Sequence, residues 1–122
     1  MRHTRVRSLA LSGAIAAVLP VAVAVASPAA AAAGPAITRG SCSTTSYYFQ
    51  CQISWAGGAD PATVHWAAVA SSSVGGSQTS PSAHSSLAEG NCVPGGFYEV
   101  KATVTDAAGL SASTFLGGHC DG

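Results

Sequence analysis

"GGFYEVKATVTDAAGL", residues 95–110, decides the fold. Tyr98, Val100, Ala102 and Val104 fall on one side of this run, and Glu99, Lys101, Thr103 and Thr105 fall on the other. A period of two marks a half-buried β-strand, because successive side chains of an extended chain point to opposite faces. Asp106 to Gly109 then supplies turn chemistry, with a glycine where a positive φ is wanted. "LSASTFLGG" (110–118) resumes the alternation with Leu110, Ala112, Thr114 and Leu116 inward, so the two runs predict a hairpin.

Upstream, "YYFQCQISW" (47–55) sets Phe49, Cys51, Ile53 and Trp55 against Tyr48, Gln50, Gln52 and Ser54, a second alternating strand. "AGGADPA" (56–62) is turn chemistry, and "TVHWAAV" (63–69) sends Val64, Trp66 and Ala68 one way and Thr63, His65 and Ala67 the other. Residues 71–86, "SSSVGGSQTSPSAHSS", lose the pattern and predict a long exposed connection with at most one short edge strand near Val74. No helical period occurs beyond the N-terminal segment, and no internal repeat is present. Short strands that each carry one apolar face imply two packed sheets, since a single sheet would leave that face wet. The expected core is Phe49, Ile53, Trp55, Val64, Trp66, Tyr98, Val100, Val104 and Leu110.

The chain opens with Arg2, Arg5 and Arg7 ahead of an apolar run from Leu9, broken by Pro20, and then an Ala-rich zone. These are the three parts of a secretory signal, with small-residue cleavage sites ending at Ala26 or Ala33. The reading is therefore a signal peptide over 1–33 and one domain over 34–122, secreted to the extracellular space. Without that segment, Arg39 and Lys101 face five carboxylates, a net of minus three. Two cations cannot neutralise a phosphate backbone, so nucleic acid is excluded as a partner, and so is an anionic membrane after signal cleavage.

Cys42, Cys51, Cys92 and Cys120 all follow the signal segment. In an oxidising compartment they read as disulfides. No C-x-x-C pair or finger-type histidine spacing supports zinc. Four cysteines allow three pairings, and the favoured one joins neighbours in sequence: Cys42 with Cys51, and Cys92 with Cys120 around the final hairpin. In the chain-entropy picture these closures contribute roughly 2.7 and 3.6 kcal/mol.

Gly96, Tyr98, Val100, Val104, Asp106 and Gly109 match a G-x-Y-x-V-x-x-x-V-x-D-x-x-G pattern. The run resembles the last two strands of polycystic-kidney-disease (PKD) and related immunoglobulin-like domains. That resemblance implies a small immunoglobulin-like β-sandwich of two antiparallel sheets, with Trp66 as core tryptophan of the third strand and Tyr98 as a corner tyrosine whose hydroxyl meets nearby backbone. The chain departs from the pattern at Val100, where an antibody-type domain carries a cysteine, and it lacks the W-D-F-G-D-G stretch of PKD domains. Only the fold is carried over, and no binding residues.

Among candidate site residues, His65, His84 and His119 lie in separate segments and read as surface histidines. No G-x-S-x-G elbow accompanies the many serines, so the chain is read as no enzyme, with no cofactor and no metal. Asp60 and Asp106 sit at turns, yet two carboxylates fall short of the six or more oxygens calcium takes, and an Asx-turn accounts for Asp106. Tyr48 and Phe115 are outward by strand parity and form the possible binding surface, since exposed aromatics stack on sugars or anchor a partner. The expectation is a secreted, non-enzymatic binding module for an unknown extracellular protein or carbohydrate. The alternative is a small inhibitor of an extracellular hydrolase, protease or amylase. The Cys92–Cys120 spacing resembles the second disulfide loop of tendamistat-type amylase inhibitors, whose Trp-Arg-Tyr triplet is missing here.

Overall fold

The computed structural model describes residues 32–70 and 72–122, and nearly all of the signal segment read over 1–33 lies outside them. Seven strands follow in order: β1 (Ala36–Thr44), β2 (Tyr48–Ala56), β3 (Thr63–Ala70), β4 (Ser73–Ser80), β5 (Ser85–Asn91), β6 (Phe97–Thr105) and β7 (Ser111–His119). They form two antiparallel sheets, β1-β2-β5-β4 and β3-β6-β7. The all-β, two-sheet architecture expected from the alternation is present.

The core lies between the sheets. β2 contributes Phe49, Cys51, Ile53 and Trp55, and β6 contributes Tyr98, Val100, Ala102 and Val104, all buried. These are the faces the period of two assigns inward. Phe49 and Tyr98 stack across the sandwich with ring centroids 4.6 Å apart and planes 8° from parallel. Trp66 of β3 is buried and donates its indole N–H to the Ser86 hydroxyl on β5 at 2.9 Å, joining the two sheets by a polar bond. The Ser86 hydroxyl in turn meets the Thr79 hydroxyl at 3.0 Å and donates to the Gln78 carbonyl at 3.2 Å. With Trp66 donating to it and Ser86 donating onward, Thr79 is the second donor, and every polar atom of the trio is satisfied.

The edge strand expected near Val74 is β4, Ser73–Ser80, at the border of the four-stranded sheet; the rest of the stretch is corrected from an exposed connection to a tight turn over 81–84 and the start of β5 at Ser85. β1 and β5, which the pattern reading leaves unassigned, are both strands. Leu110 is corrected too, because it precedes β7 in the turn and is 43% exposed, and Val64 is only half-buried. The Tyr98 ring is in the core, but its hydroxyl lies beside Gly118 on β7, where an added Cβ would come within 3.1 Å.

The disulfides pair as favoured, Cys42–Cys51 and Cys92–Cys120. The first joins directly opposed residues of β1 and β2. The second connects the chain leaving β5 to the chain leaving β7, and so ties the four-stranded sheet to the three-stranded one. Two such bonds are typical of extracellular proteins.

Candidate functional site

Tyr48 begins β2 and projects from the outer face of the four-stranded sheet, 37% exposed. Phe115 projects from the outer face of the three-stranded sheet, 56% exposed. The two residues read together as one surface therefore lie on opposite sides of the sandwich. Each has its own surroundings.

Around Phe115, the outer face of β6 and β7 carries a set of aromatic and charged side chains that parity alone delivers. Lys101, directly opposite Phe115, holds its ammonium 5.6 Å from the Phe115 ring centre. Phe97 pairs with His119 at the other end of the same two strands, their rings edge to face at 5.2 Å. Phe97 is 48% exposed, and Phe115 and His119, four residues apart on one strand, stand roughly 13 Å from one another. Gly117 lies between them with no side chain, because a Cβ there would run into the Tyr98 carbonyl and close on Glu99. The result is a flat face with aromatic rings at both ends. Phe97 escapes the pattern reading and His119 is read there only as a surface histidine, although their outward parity in "FYEV" and "LGGH" carries the signal.

Around Tyr48, the outer face of β2, β5 and β4 is polar. Gln50 donates its amide to the Glu89 carboxylate at 3.0 Å, and the two are cross-strand partners. The Tyr48 hydroxyl is held above its ordinary pKa by partial loss of water and by the neighbouring Glu89 carboxylate. A β-bulge between Val74 and Gly76 leaves Gly75 as an extra residue on β4, and neither glycine puts a side chain beside Glu89. A hollow of about 160 Å³ results, lined by Tyr48, Gly75, Gly76, Glu89, Gly90 and Asn91.

The histidines stay apart in role. His65 is on the exposed face of β3 and His119 at the end of β7. His84 closes the β4–β5 turn in the left-handed region, at φ 47°. Its ring stacks on Trp55 at 5.5 Å and its Nε2 meets Asp60 Oδ1 at 3.0 Å. That contact fastens the β4–β5 turn to the 57–62 turn, a structural clasp that the sequence did not announce.

Asp106 is nearly buried, and its two oxygens accept N–H bonds from Ala59 at 3.1 Å, Ala108 at 3.0 Å and Leu110 at 2.9 Å. Ala59 is the main cause that holds its carboxyl below the usual range; burial opposes it, and the Leu110, Ala108 and Gly109 amides add to the lowering. This is an Asx-turn extended across the sandwich to the 57–62 turn. Among the described residues no group of three or more His, Cys, Asp or Glu side chains could hold a metal ion.

No family model matches this chain, and neither a curated protein nor a solved structure does.

Proposed function

We propose that this chain is a secreted, non-enzymatic binding module with an immunoglobulin-like sandwich, whose contact surface is the outer face of β6 and β7. The strand order supports the immunoglobulin-like reading: β1-β2-β5-β4 against β3-β6-β7 corresponds to the ABED and CFG sheets of constant-type domains. Trp66 on the third strand and Tyr98 on the sixth agree with it. Two disulfides and the basic-then-apolar N-terminus support export.

The observation that carries the binding reading is the exposed pair Phe97 and Phe115 on one face. Large aromatics braced by neighbours anchor protein partners, because they bury much apolar area at little conformational cost. Lys101 and Glu99 give the same face one charge of each sign. The partner is an extracellular protein. Among the described residues no connection between successive strands is longer than the six residues 57–62, which favours a sheet-face contact over an inhibitor's long cleft-filling loop.

The test compares the protein with a Phe97→Ala, Phe115→Ala double variant for binding to the producing cell's surface and secreted fraction. Retention should fall at least tenfold in the variant and after protease treatment of the fraction, and survive glycosidase treatment. Retention that ignores the two substitutions sinks this surface, and retention that follows the glycan sinks the protein partner.

A further inference from the structure

From the hollow beside Tyr48 we infer a second binding site, on the sheet face opposite Phe115, for a neutral carbohydrate. Four features of its construction point to that class. An aromatic ring, Tyr48, forms one wall, and the apolar face of a sugar ring packs on such a surface. The Glu89 carboxylate accepts the Gln50 side-chain amide at 3.0 Å, so it is oriented before any ligand arrives. An ionised carboxylate has about four acceptor positions. One is taken here, by Gln50, and the rest are left for sugar hydroxyls. Asn91 adds a side-chain amide, which both donates and accepts, as adjacent sugar hydroxyls require.

The fourth feature is the bare floor. The Gly75 bulge and Gly76 leave open the space opposite Glu89, and a Cβ built at Gly76 would meet nothing within 4 Å. Bulges of this kind recur beside functional sites because they open a ladder locally. Asn91 also lines a second, larger hollow of about 390 Å³ with Ser73 and Val93. The two adjoin, so a chain of sugars can continue from one into the other.

Charge decides between neutral and anionic ligands. Among the described residues, Glu89 is the one charged side chain lining either hollow. A uronate or sulfated sugar would place its anion against it without a compensating cation. A hydroxyl donor meets no such penalty.

The experiment is calorimetric titration of the protein with cellohexaose, maltohexaose and chitohexaose, beside oligogalacturonate and glucosamine oligomers as charged counterparts. Tyr48→Ala, Glu89→Gln, Gly76→Val and Phe115→Ala are titrated in parallel, with circular dichroism to establish that each is folded. At least one neutral hexasaccharide should bind with a Kd below about 1 mM. Tyr48→Ala and Gly76→Val should each weaken it roughly tenfold or more, and Glu89→Gln at least about threefold. Phe115→Ala should leave it unchanged, which separates this site from the aromatic face. No heat from any neutral sugar up to about 10 mM, affinity untouched by Gly76→Val, or preference for a charged oligomer would overturn the inference.

Discussion

At the residue scale, Ser86 carries more than its type suggests. It is a small polar side chain in the core, and its hydroxyl is the acceptor that lets Trp66 be buried. Ser86→Ala leaves the indole N–H dry and unpaired, which costs about 1–3 kcal/mol. Urea unfolding should register that loss. The Trp66→Phe, Ser86→Ala double variant should be less destabilised than the sum of the singles, because the orphaned donor is then gone. Strict additivity would show that the bond contributes nothing. Asp106 makes a separate prediction with pH. Its folded-state pKa lies below the unfolded value of about 3.9, so the stability it contributes is fully present above that value and is lost as pH falls through the folded pKa. The urea midpoint should drop as pH is taken from about 5 to 2, and Asp106→Asn should flatten that slope while lowering the midpoint at pH 7.

At the element scale, β5 shows why a central strand can hide from its sequence. Its inward residues are Ser86, Ala88 and Gly90, and its outward ones include Leu87 and Glu89. The usual apolar-in pattern is absent because Phe49 and Trp66 already fill the space in front of it. Gly90 has no room for more: a Cβ there would collide with the Phe49 ring and the Ser73 carbonyl. Gly90→Ala should therefore cost about 1–3 kcal/mol from overpacking, whereas Gly76→Ala on the adjacent strand should stay within about 0.5 kcal/mol. Thermal unfolding of the two variants side by side checks this, and equal losses would contradict the packing. β1 hides for a different reason. Its register shifts between Ile37 and Arg39, so Ile37, Gly40 and Cys42 face inward out of simple alternation. A Cβ at Gly40 would meet the end of the Leu116 side chain on β7.

At the scale of the whole molecule, the two disulfides do unequal work. Cys42–Cys51 spans 9 residues and joins strands already paired by their ladder. Cys92–Cys120 spans 28 and is the covalent link between the two sheets. Replacing Cys92 and Cys120 with serine should lower the unfolding free energy by roughly 3–4 kcal/mol, and replacing Cys42 and Cys51 by about 1 kcal/mol less. Denaturant melts of both double variants, each with and without reductant, give the comparison. For a domain of this size, whose core is small, the larger loss is enough to leave much of the protein unfolded near body temperature.

The alternation in 47–55, 63–69 and 97–105, with turn residues between, determined that the chain is all-β and which faces of β2, β3 and β6 are buried, because a period of two is a local property of an extended chain. Sequence adjacency favoured one of three cysteine pairings, and the structure has that one. Tertiary structure alone decided the rest. Small residues face inward on β5 only because large rings oppose them, β1 takes its register from a bulge, and Tyr48 and Phe115, both outward by parity, are parted because their strands belong to different sheets. Parity says that a side chain points out; only the packing of the sheets says into which neighbourhood.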